Sequence, residues 1–137
     1  LNSIDFMLYR FYYIDNLYID NLHKQEVFMA IDKTLLSGSM SMLLLRLLSE
    51  KDMYGYEMID TLRKRSENVF ELKAGTLYPL LHSLEDKNYL TSYEKEVSGK
   101  VRKYYQLTGE GRKFLEKKRE EWEQYTKAVT SVLAFGM

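Results

Sequence analysis

Lys100, Arg102 and Lys103 fall within four residues of one another beside Gly99, and the stretch from Ser98 to Leu107 holds no acid. A glycine-hinged cationic loop can follow a phosphate backbone, each contact releasing counterions. An exposed basic turn also occurs in proteins that never meet nucleic acid. Upstream, Lys73, Thr76, Tyr78, His82 and Ser83 share one side of a predicted helix, with Gly75 permitting close approach at its start. Short polar groups near a helix N-terminus can reach base edges and phosphates in a major groove. The bland alternative is a solvated helix face. Taken together, helix and loop favour nucleic acid.

Other chemistries lack their parts. The 137 residues include no cysteine, which excludes a disulfide scaffold, a thiolate metal site and a cysteine nucleophile. His23 and His82 are the two histidines, too few soft ligands for a transition-metal site. No carboxylate or second histidine is placed to orient His82, so it reads as a surface or groove-facing polar residue. With no glycine-rich phosphate loop and no nucleophile–base pair, neither an enzyme nor a bound cofactor is expected. Twenty basic and twenty acidic side chains cancel, which excludes a strongly basic nucleic-acid scavenger. Hydrophobic residues make up 45%, enough for a packed core. No apolar run reaches about 18 residues and no secretory leader is recognisable, so a cytoplasmic protein is expected.

The elements that would position these residues follow from periodicity. Leu36, Met40, Leu43, Leu44, Leu47 and Leu48 predict a first helix from about Asp32 to Ser49. Asp52 to Gly55 breaks it. Gly55, Met58, Ile59 and Leu62 predict a second helix ending in Arg63-Lys64-Arg65, cations that suit the negative end of a helix dipole. Leu77, Leu80, Leu81 and Leu84 predict a third, starting near Ala74 to Thr76 because Pro79 costs least near a helix start, and closing at Asp86 to Asn88. The period then changes. Leu90 to Val97 and Val101 to Leu107 read as a β-hairpin turning at Ser98-Gly99-Lys100, with Tyr104 and Tyr105 on opposite faces. Thr108 can cap a last helix running to about Leu133. Three helices followed by a two-stranded wing predict a mainly α fold, the winged form of the helix-turn-helix, over 29–107, with a C-terminal dimerisation helix over 108–137.

That last helix has a narrow apolar stripe. Leu115, Trp122 and Val129 are spaced by seven, Tyr125 and Val132 form a second such series, and Lys118 interrupts it. Such a stripe suits association between two chains, the alternative being a helix folded back on its own domain. A homodimer would set two recognition helices about one DNA turn apart, matching a pseudo-palindromic operator in double-stranded DNA. Trp122 reads either as an interface anchor or as a flat wall for a planar, aromatic small-molecule effector.

Residues 1–28 differ from the rest. Phe6, Tyr9, Phe11, Tyr12, Tyr13, Tyr18 and Phe28 crowd them without a clean period. Lys24 to Met29 can be encoded with AGGAGGT a few bases before ATG, the pattern of a ribosome-binding site and start codon. The expectation is that Met29 is the true start and 1–28 a translated leader or a mis-called open reading frame, the alternative being an aromatic-rich N-terminal helix packed on the domain. Without these residues the remainder carries 18 basic and 16 acidic groups, a net charge of +2.

Three motifs in order resemble one known family. Tyr54-Gly55-Tyr56-Glu57, Gly75-Thr76-Leu77-Tyr78-Pro79-Leu80-Leu81 and Arg102-Lys103-Tyr104-Tyr105-Gln106-Leu107-Thr108 are similar to those of PadR-type transcriptional regulators, a likeness covering about Thr34 to Leu133. The resemblance implies a bacterial winged-helix repressor that dimerises through its C-terminal helix. It implies that Thr76 and Tyr78 contact operator DNA while Lys100, Arg102 and Lys103 grip phosphates. The short C-terminus is similar to the subfamily that includes multidrug-sensing members, in which a tryptophan at the position of Trp122 stacks on flat aromatic drugs at the dimer centre. Lys100 and Val101 depart from the family pattern, where Gly or Arg is common, and residues 1–28 have no counterpart. A rival reading keeps the fold but makes it a protein-interaction module whose basic tip binds an acidic surface.

Overall fold

The computed structural model describes residues 33–135, with side chains from Gly38 onward. The expectation that the protein starts at Met29 lies outside the described residues. Four helices and three strands follow in the order α1 (Lys33–Leu48), β1 (Met53–Tyr54), α2 (Gly55–Arg65), α3 (Ala74–Asp86), β2 (Leu90–Val97), β3 (Lys100–Leu107) and α4 (Gly109–Ala134). This is a winged helix. The residues from Lys33 to Lys117 form one compact unit, and those from Lys118 onward group separately.

The core of the winged unit uses most of the apolar repeats that periodicity picks out, with two changes on α1: Leu45, outside the predicted repeat, is fully buried, and Leu43, inside it, is only partly buried. Leu44, Leu45, Met58, Leu77 and Leu81 are fully buried, with Leu62 and Leu84 nearly so. Removing these side chains from water is the main force holding α1, α2 and α3 together. The α3 repeat of Leu77, Leu81 and Leu84 turns one side of the helix inward, which leaves the opposite side to solvent.

One element escapes sequence reading. Met53 and Tyr54, within the Asp52–Gly55 break between the first two helices, form the short strand β1 and pair antiparallel with Tyr105 and Tyr104 of β3. The sheet order is therefore β1-β3-β2, with β3 in the middle. Two residues carry no periodicity, and the edge that receives them lies about fifty residues later in the chain. The hairpin turns through Ser98 and Gly99, with φ of 52° and 78°. Positive φ at both central positions is the geometry that matches the twist of a two-residue hairpin, and glycine adopts it without strain. Lys100 consequently joins β3 opposite Val97.

The base of the wing is locked to the start of α4. The Gly111 N–H donates to the Thr108 hydroxyl at 2.9 Å, and that hydroxyl donates to the Asn88 carbonyl at 2.6 Å. Thr108 thus caps α4 and ties it to the α3–β2 connection. Gly111 lies so close that a Cβ there would stand 2.1 Å from the Tyr89 carbonyl oxygen. Tyr89 stacks on Phe114 at 4.3 Å between ring centroids. Leu115 is 5% exposed and belongs to the winged unit's own core. This corrects its assignment to the association stripe. Seven-residue spacing cannot separate a seam between chains from the first turns of a helix that dock on their own domain.

Candidate nucleic-acid interface

Helix α3 presents Lys73, Gly75, Thr76, Pro79, His82, Ser83 and Asp86 to solvent. Lys73 is the N-cap residue, extended at φ −93° and ψ 154°, and no side chain caps the helix start. The Thr76 and Leu77 N–H groups donate to the Lys73 carbonyl, and with no side chain capping the earlier ones an anion is favoured at this end of α3. Four of the expected contacts, Lys73, Thr76, His82 and Ser83, share this exposed face.

Tyr78 does not join them. Its half-buried ring lies over Gly55, where a Cβ would stand 2.5 Å from the Tyr78 hydroxyl oxygen. The ring packs against the core instead of standing in the row with Thr76 and His82. The contact explains why the second and third helices both carry a small, recognisable motif: a residue without a side chain at the start of α2 receives an aromatic ring from α3. Nothing in the local sequence marks Gly55 as that receptor.

The wing divides its cations between two faces. Strand alternation puts Lys100 and Arg102 on one face and Lys103 on the other. Glu94 pairs with Lys103 and Glu96 with Val101, so the Lys103 face carries both signs of charge. Lys95 pairs with Arg102, which adds a third cation to the other face. Read along the chain, Glu94-Lys95-Glu96 is an acidic run; read by alternation, its lysine stands apart from both glutamates. Sequence reasoning missed Lys95 because it counted charge by proximity in the chain.

A row of tyrosines supports this cationic face. Tyr54, Tyr104 and Tyr93 are direct partners across the three strands, with centroid separations of 5.6 and 5.7 Å. The Arg102 guanidinium lies 4.2 Å from the Tyr54 ring centroid, and the Lys95 ammonium 5.8 Å from that of Tyr104. Cations held over aromatic faces keep their charge while losing freedom. The Tyr93 hydroxyl donates to Asp52 at 2.7 Å, and that bond to a carboxylate, with burial second, raises its pKa above the ordinary tyrosine value. Behind the sheet, Tyr105 is 2% exposed, and burial raises its pKa as well.

From Lys118 onward, α4 exposes an apolar surface. Tyr125 is 59% exposed and Val132 76%, with Val129, Leu133 and Phe135 also exposed. Trp122 is half-buried, its ring centroid 6.2 Å from that of Tyr125. Among the described residues no group of three or more His, Asp or Glu could hold a metal ion. No helix among them is long and apolar enough to cross a membrane.

Comparison with known proteins agrees with this architecture. The family model of PadR-like transcriptional regulators matches residues 44–117, more than half the chain. A transcriptional regulator from Clostridium thermocellum is 35% identical and superposes with a TM-score of 0.68, covering 72% of this chain and 97% of its own. A PadR family transcription regulator from hypervirulent Clostridium difficile is 43% identical with a TM-score of 0.63, covering 69% and 98%. A protein of Lysinibacillus sphaericus is 35% identical over 96 residues, which cover 69% of this chain and 88% of the relative. The chain belongs to the PadR-like family of transcriptional regulators.

Proposed function

We propose that this regulator is a homodimeric repressor in which α3 reads a pseudo-palindromic operator and the wing grips its phosphates. The observation that carries the reading is the exposed α3 face, with its uncapped N-terminus, carried on the same compact unit as a wing face bearing Lys95, Lys100 and Arg102. The helix offers short polar groups for base edges, and the wing offers charge for the backbone. Thr76, His82 and Ser83 contact bases in this reading, while Lys73, Lys100, Arg102 and Lys95 contact phosphates. Lys103, opposite Glu94, contributes less.

The exposed apolar surface of α4 supplies the second half of the proposal. Tyr125, Val129, Val132 and Leu133 associate with the same residues of a second copy, a self-complementary interface of the kind two-fold dimers use. Trp122, beside Tyr125, forms a wall for a planar aromatic effector. Such an effector relieves repression only by binding better to a dimer whose two α3 helices are mis-spaced for the operator. A cytoplasmic location follows from the DNA target.

Fluorescence anisotropy tests the reading, using the full chain with duplex DNA from its own promoter and a scrambled duplex at two salt concentrations. Preference for the promoter by about 100-fold or more, with a steep salt slope, is expected. Equal weak binding to both would favour a protein-interaction module. Sedimentation tests the dimer, and quenching of Trp122 fluorescence by flat aromatic compounds tests the effector.

A further inference from the structure

The composition of α3 restricts what it can read. From Ala74 to Asp86 there is no arginine, lysine, asparagine or glutamine. Those are the side chains that make bidentate contacts to guanine and adenine in the major groove. What the exposed face offers over its first two turns is the γ-methyl and hydroxyl of Thr76 and the ring methylenes of Pro79, three residues apart, followed by His82 and Ser83. Gly75, next to Thr76, has nothing within 4 Å of the position a Cβ would take, so this end of the face is open.

Pro79 makes the point sharper. It is the sixth residue of α3, past the turn where a missing N–H is harmless, and it removes the bond to the Gly75 carbonyl. Proline is the least favourable residue in a helix interior. Its ring is exposed, so core packing does not account for its presence. Thr76 and Pro79 together form a small apolar step on an otherwise polar face, about 4.5 Å long along the helix axis against a base-pair rise of about 3.4 Å, short enough to lie over one or two neighbouring bases.

We infer that α3 recognises thymine 5-methyl groups through the Thr76 methyl and the Pro79 ring, so that each operator half-site presents thymine to the first two turns of the helix. The inference rests on the DNA-binding reading above. The thymine methyl is the one apolar group on a major-groove base edge, and threonine methyl and other apolar side chains complement it. His82 and Ser83 then supply hydrogen bonds further along, without requiring guanine.

The test uses the full chain and duplexes that it selects from a randomised pool. The enriched duplex is resynthesised with deoxyuridine in place of thymidine, which removes the methyl and leaves base pairing unchanged. Binding roughly tenfold weaker to the uracil duplex is expected, about the effect of losing one buried methyl group in each of the two half-sites. Thr76→Ser keeps the hydroxyl and removes only the methyl, and Pro79→Ala removes the ring while favouring the helix. Each should weaken binding to the thymine duplex and leave binding to the uracil duplex nearly unchanged. Equal affinity for the thymine and uracil duplexes, both well above the unselected pool, overturns methyl reading and leaves DNA recognition standing. Failure to enrich any sequence overturns the DNA-binding reading itself, and this inference with it.

Discussion

Helix α3 and the wing face solvent with opposite chemistry. The α3 face holds small groups and one long cation, Lys73, at its end, whereas the outer face of the wing holds Lys95 and Arg102 over a row of tyrosines, with Lys100 at its tip. Small groups close to a rigid backbone discriminate shape, and cations on a narrow ribbon supply attraction that ignores sequence. The two regions are also held differently. A buried leucine row and the Tyr78 ring over Gly55 fix α3, while the wing is held at its base, through Thr108, Tyr89, Gly111, the β1–β3 pairing and the buried Tyr105, and its tip extends beyond these contacts. Specificity is therefore expected to depend on the packing behind α3, and affinity on the charge of the wing.

The strongest way to break this division is through Gly55. A Cβ at 2.5 Å from the Tyr78 hydroxyl must displace the ring that positions α3. Gly55→Ala should cost about 1–3 kcal/mol by urea unfolding, and reduce preference for operator over scrambled duplex. Tyr78→Phe should restore part of that stability, since it removes the atom nearest the new Cβ. Additive losses in the double variant would separate the two residues.

The base of the wing is the next lever. Thr108→Ala removes the cap of α4 and the bond to the Asn88 carbonyl, and should cost about 1 kcal/mol. Thr108→Ser should recover most of it. An unchanged unfolding midpoint would remove Thr108 from the account.

The charges of the wing give a smaller effect of a different kind. Lys95→Ala and Arg102→Ala should each weaken binding to operator and scrambled duplex alike, lowering the salt slope by about one. Lys103→Ala, opposite Glu94, should lower it less. Equal slopes for the three variants would mean that strand alternation does not sort the contacts.

The smallest effect is alkaline. Burial first, then the charges of Glu85 and Tyr78, raises the Tyr105 pKa above its unfolded value of 10.0. The neutral phenol is favoured in the folded state, so this stability is present below pH 10 and lost as pH rises through the folded value. Tyr105→Phe should flatten the fall in stability above pH 10 in a denaturant series.

Much of this fold was legible in the sequence because its helices bury one side. The starts of α2 and α3 and the limits of β2 agree with the repeats of Met58, Leu62, Leu77, Leu81 and Leu84 and with the change of period at Leu90. What stayed hidden depends on partners distant in the chain. Strand β1 exists only because β3 offers an edge, Tyr78 turns inward only because Gly55 leaves room, and Leu115 docks only because the core has a place for it. The exposed α3 face was visible as polar spacing. Lys95 was masked by its flanking glutamates until strand register separated them.

The central claim is that α3 discriminates and the wing attracts. Its most direct test is one anisotropy series on the full chain, comparing Thr76→Ala with the double variant Lys95→Ala/Arg102→Ala on operator and scrambled duplexes. Loss of the operator preference in Thr76→Ala, and its retention at weaker overall affinity in the wing variant, is the predicted result. A wing variant that loses the preference while Thr76→Ala keeps it would contradict the account.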